Sequence, residues 1–138
     1  LRSCSASSSG STDARAAMIA TCRDVYRPLF ADYRISPTAD RALREAVAVV
    51  REHDAQVGFL YLPESSEFRE SYPAEAERLA SEHLARVSRD LGVPVVNARD
   101  WMDDGLFADG FHLTRLGAAE FTRKLGPAVA AAFPEAQP

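Results

Sequence analysis

The chain has 138 residues, enough for one domain and too few for two. With 46% hydrophobic and 26% charged residues it has an ordinary globular composition. Its net charge of −4 excludes the basic stripe of a nucleic-acid surface, and its arginines are interleaved with acids, so no polybasic membrane patch forms.

No apolar run reaches the roughly 18 residues of a membrane-spanning helix. No apolar segment precedes Leu1-Arg2-Ser3-Cys4 as a signal peptide would require. Residues 3–12 are almost entirely Ser, Ala, Gly and Thr and cannot bury apolar area. Residues 1–13 therefore read as a flexible arm, and 14–138 as a single α/β domain. Cys4 and Cys22 leave two readings open. In an oxidising compartment they close a small loop; in the cytosol they are two ordinary thiols. Two cysteines with no nearby histidine do not make a zinc site, and no metal or cofactor is expected.

Asp13 reads as the N-cap of a short helix over Ala14–Cys22. Tyr26, Leu29, Phe30 and Tyr33 surround Pro28 and read as an irregular segment packed on a core. Ser36-Pro37-Thr38 opens a helix over 38–54, with Leu43, Ala46, Val47 and Val50 as its apolar stripe. Gln56–Leu62 (QVGFLYL) suits a strand buried on both faces, ended by Pro63. Glu64–Pro73 is a polar loop. A helix over 74–91 turns Ala80, Leu84, Val87 and Leu91 inward and stops at Gly92. Val93–Ala98 is a second strand, 99–111 a loop, and 114–133 the last helix. Strand alternating with helix predicts an α/β fold with a parallel sheet, a three-layer flavodoxin-like sandwich. Two strands make a thin sheet, so the domain reads as incomplete. Its open edge invites a partner chain or an N-terminal segment.

The chemistry concentrates in Asp109-Gly110-Phe111-His112-Leu113-Thr114, with Gly117 beyond. An acid three residues before a histidine can hold the imidazole in one orientation, as a general base requires. The alternative is a buried, satisfied imidazole at a helix start. His53 and His83 lie on predicted helices without such partners and read as structural. In parallel α/β sheets functional groups gather at the carboxyl ends of the strands. The loop of Glu64, Ser65 and Ser66 and the loop bearing Asp109 and His112 both leave that edge. Ser65 and Ser66 follow a strand, but no glycine-flanked elbow presents either one as a nucleophile. Asp100, Asp103, Asp104 and Gly105 lack the ligand alternation of a calcium loop and read as an acidic turn. Trp101 reads as an anchor under the site or as a ring on which a substrate stacks.

This order of elements, closed by Asp109-x-x-His112 before the last helix, resembles the C-terminal part of SGNH/GDSL-type hydrolases. Leu60-Tyr61-Leu62-Pro63-Glu64-Ser65 and Tyr72-Pro73 resemble the branch that O-acetylates cell-surface polysaccharides. The resemblance covers about residues 26–133 and implies a Ser-His-Asp triad, with His112 as base and Asp109 orienting it. It implies an O-acyl carbohydrate or small acyl ester as substrate, contacts from Glu64, Ser65 and Trp101, and a secreted or periplasmic location. The chain departs from the family by lacking a Gly-Asp-Ser block and a Gly-x-Asn-Asp block. An inactive carbohydrate-binding module, or a half-domain completed by another chain, is the competing expectation.

Overall fold

The computed structural model describes residues 9–134. Their order is α1 (Ser9–Phe30), α2 (Pro37–Glu52), β1 (Phe59–Tyr61), α3 (Ser66–Arg69), α4 (Ala74–Leu91), β2 (Val95–Asn97), a 3-10 turn (Asp104–Leu106) and α5 (Arg115–Ala132). Cys4 lies outside these residues, and Cys22 forms no disulfide among them.

The two strands pair in parallel, Phe59 with Val95, Leu60 with Val96 and Tyr61 with Asn97. The crossover through α3 and α4 makes the parallel pairing possible. The chain is mostly helical around this small sheet, compatible with an α/β class. Two strands among the described residues are too few to establish three layers.

Local sequence explains the helices. Ser36 caps α2 by accepting the Ala39 N–H, and Pro37 takes the first turn. Gly92 ends α4 in the left-handed conformation at φ 59°. Thr114 caps α5 by accepting the Gly117 N–H. Within α4, Val87 is fully buried and Ala80, Leu84 and Leu91 are half-buried, as their spacing predicts. The core adds Val47, Phe68, Val93, Ala98, Met102 and Phe107.

Several expectations need correction. Asp13 does not cap a helix: α1 already starts at Ser9, inside the stretch read as an arm. The segment around Pro28 is irregular only beyond Phe30, because α1 runs through Pro28 to Phe30 and leaves Tyr33 outside the helix. Pro28 removes one backbone hydrogen bond near the helix end, where ring packing of Tyr26 and Phe30 secures the turn. Glu64–Pro73 is not all loop, since it holds α3. In α2 the stripe is narrower than predicted: Val47 is buried, while Ala46 and Val50 are exposed. The first strand is not buried on both faces. Leu60 is 38% and Leu62 59% exposed, because no further layer among the described residues covers them.

Candidate active site

The loop after β2 is closed on itself. Phe107 and Leu113 form an isolated antiparallel bridge, and the Ala108 N–H donates to the His112 carbonyl at 2.8 Å. The Thr114 N–H donates to the Leu106 carbonyl at 2.8 Å. Phe107 anchors the loop at 1% exposure. Two glycines are dictated by space. Gly110 sits at φ 104°, and a Cβ there would meet the Phe68 Cβ at 2.9 Å. A Cβ on Gly117 would meet the Leu106 carbonyl oxygen at 2.5 Å, so the helix start approaches the loop as only glycine permits.

Asp109 and His112 meet on this loop. The Asp109 Oδ1 accepts the backbone N–H of His112 at 2.8 Å and of Phe111 at 3.3 Å. Its Oδ2 lies 2.7 Å from the His112 Nδ1. One carboxylate oxygen thus shapes the turn and the other holds the imidazole. Asp109 is largely buried, with 14% of its side chain exposed, whereas the His112 ring is 69% exposed. The buried-imidazole alternative is thereby overturned. Burial alone would push the Asp109 carboxyl up. Donation from the His112 ring and from the two backbone N–H groups outweighs burial and holds it below its ordinary value.

Rings and α1 support the dyad from beneath. Phe111 contacts the His112 ring at 4.2 Å, and Tyr26 and Phe68 contact Phe111 at 5.5 and 5.0 Å. The Ser65 N–H donates to the Gly110 carbonyl at 2.7 Å, tying the loop after β1 to the dyad loop. The two loops therefore do converge. Cys22, distant in sequence, lies near enough for the Asp109 charge to act on it. Burial first, and that charge second, push its thiol up, which disfavours the thiolate.

The other predicted residues have structural duties. Ser65 is fully buried and caps α3 through the Phe68 N–H at 3.2 Å, which leaves it no surface for a substrate or for nucleophilic attack. The Ser66 hydroxyl is exposed and donates to Asp104 at 2.5 Å, while the Ser66 N–H donates to the other Asp104 oxygen at 2.7 Å. Glu64 accepts from the Tyr72 hydroxyl at 2.6 Å and from the Arg99 Nε at 3.0 Å. Trp101 packs on Phe121 of α5, and Lys124 donates to its carbonyl at 2.6 Å. That contact fits the anchor reading. Beside it lies a shallow surface hollow with Lys124, Pro127 and Ala128.

Sequence reasoning passed over Arg15 and Arg99. Arg15 reaches from α1 to both Glu67 oxygens at 3.1 and 2.5 Å and to the carbonyls of Phe107 at 3.0 Å and Asp104 at 2.7 Å. Arg99 lies over the Tyr61 and Tyr72 rings at 5.2 and 5.3 Å and pairs with Glu64 and Glu77. Arg15, Ile19, Cys22, Tyr26 and Phe30 share one helical face, a signal the sequence does carry. Among the described residues no group of three or more His, Cys, Asp or Glu is placed to hold a metal ion, and no helix is long and apolar enough to cross a membrane.

No protein-family model, no curated protein and no solved structure matches the chain.

Proposed function

We propose that the chain carries the base-and-orienter part of an SGNH-type serine acyl hydrolase or acyltransferase. Its substrates are O-acyl, above all acetyl, esters of carbohydrate outside the cytoplasm, in a secreted or periplasmic setting. The observation that carries this reading is the 2.7 Å contact between the Asp109 Oδ2 and the His112 Nδ1 on an exposed ring. With Nδ1–H held by the carboxylate, Nε2 is left with the lone pair of a general base. In the reaction Nε2 takes the proton of a serine hydroxyl as its oxygen bonds the acyl carbon. The carbonyl electron pair moves onto oxygen, then returns as the sugar oxygen leaves with the proton from His112. Water or an acceptor hydroxyl then attacks the acyl-serine by the same proton relay. Asp109 stays ionised and stabilises the imidazolium.

The nucleophile is not assigned: Ser65 is buried, and no strand-borne glycine elbow presents Ser66. A fluorophosphonate that labels reactive serines, followed by peptide mapping, tests the reading. One labelled serine in the wild type, with labelling lost in His112→Ala, supports it. No labelling in either protein removes catalysis by this chain alone.

A second reading has its own observation. Leu60, Leu62, Val49 and Val50 are exposed apolar residues, and among the described residues β1 has one unpaired edge. This favours a catalytically inactive half-domain or binding module whose sheet is extended by another chain or segment.

A further inference from the structure

An open cleft of about 480 Å³, lined mostly by exposed side chains, lies at the carboxyl ends of the two strands. Asn97 ends β2, Asp100 follows it, and Arg69 and Glu70 face them from the end of α3. These four have polar groups that neighbours leave uncommitted. Among the described residues the Arg69 guanidinium makes one hydrogen bond, to the Arg99 carbonyl at 3.3 Å, and no direct ion pair, although its charge also acts on Asp104. The Asn97 Oδ1 accepts the Arg99 N–H at 3.2 Å, and its amide N–H₂ has no partner among them. The carboxylates of Glu70 and Asp100 accept no hydrogen bond from the described residues. Arg99 and Glu77 also line the cleft but neutralise each other.

The uncommitted groups thus comprise two donors and two carboxylates, interspersed in one concavity. A metal ion would be repelled by Arg69, and an anion would face a local excess of one negative charge. A ligand that both donates and accepts at closely spaced positions, with no charge of its own, satisfies all four. A hexose ring does so: vicinal hydroxyls donate to a carboxylate in pairs and accept from a guanidinium or amide. Arg99 and Glu77 also line a neighbouring recess of about 220 Å³, with Phe30, Tyr33, Tyr61 and Tyr72. Ser66 on the cleft wall follows Ser65, whose N–H donates to the Gly110 carbonyl two residues before His112.

We propose that this cleft is a binding subsite for a neutral hexose, with Arg69, Asn97, Glu70 and Asp100 as its hydrogen-bonding groups. It rests on the acyl-carbohydrate reading for its relevance, and it names the part of the sugar chain that reading leaves open. The neutral ring is preferred to a uronate because the carboxylate of a uronate adds charge beside Glu70 and Asp100.

The test uses the full chain and nitrogen-resolved NMR of Asn97 and Arg69 during titration with methyl glucoside, methyl galactoside, methyl mannoside and glucuronate. At least one neutral glycoside is expected to saturate both signals with Kd of about 1 mM, and glucuronate to bind about tenfold more weakly. Asp100→Ala and Asn97→Ala each weaken the preferred glycoside about tenfold, while the amide spectrum elsewhere stays that of the folded chain. Tighter binding of glucuronate, unchanged affinity in both variants, or no response to any glycoside overturns the proposal. Serine labelling is read separately. Binding without labelling keeps the cleft and removes the hydrolase; labelling without binding does the reverse.

Discussion

Asp109 divides its two oxygens between folding and chemistry, and substitutions there can separate the two. In Asp109→Asn the amide oxygen still accepts the backbone N–H groups of Phe111 and His112. The amide nitrogen then faces the His112 Nδ1, which must turn acceptor and move its proton to Nε2. The base is lost while the turn stays. Unfolding free energy is expected to stay within about 1 kcal/mol of wild type, and the hydrogen-bonded imidazole proton to vanish from the NMR spectrum. Ser65→Ala removes a buried cap and is expected to cost about 1 kcal/mol in denaturant titration, with serine labelling unchanged. Acid weakens the same region. The carboxyls of Asp109 and Asp104 are both held below their ordinary value. Burial opposes the shift in each, and hydrogen bonds with the His112 ring or with Ser66 outweigh it. A depressed folded value contributes stability above the unfolded value, about 3.9, and loses it as pH falls through the lower folded value. Stability in urea is therefore expected to be level across neutral pH and to drop below about pH 4, less steeply in Asp109→Asn.

Helical spacing is plain in some elements and masked in others. The α4 span matches its reading because Val87, Leu84 and Ala80 repeat at helical spacing and Gly92 stops the run. α1 is longer than its sequence predicts because its inward face mixes Arg15, Cys22 and Tyr26 with Ile19, and hydrophobic spacing passes over the arginine. Arg15 is inward for a local reason: the carbonyls of Asp104 and Phe107 and the Glu67 carboxylate need a multidentate donor. The cap at Ser65 was hidden because Ser-Ser-Glu reads as loop until Phe68 is seen to be buried. Arg15→Ala is expected to loosen α1 as a unit, raising amide exchange across its length while leaving α4 protected. Phe107→Ala, by contrast, empties the centre of the dyad loop and is expected to cost about 3 kcal/mol or more in global unfolding.

At the scale of the whole molecule, the two-stranded sheet governs what is covered and what is exposed. The parallel register was legible because two short apolar runs are separated by a helical crossover. Exposure of Leu60 and Leu62 was not, since an apolar run does not say whether a second layer exists to cover it. Nothing within the described residues covers Leu62, so Leu62→Lys is expected to change the chain's own stability by no more than about 0.5 kcal/mol. Any association through that apolar surface would be lost in the same variant, as sedimentation at rising concentration would report. The dyad and the open edge together leave the central claim resting on His112. Hydrolysis of p-nitrophenyl acetate by the full chain at neutral pH, beside His112→Ala and Asp109→Asn, tests it most directly. The account predicts acyl turnover in the wild type that both variants lose. Equal rates in all three proteins, or none in any, would contradict it.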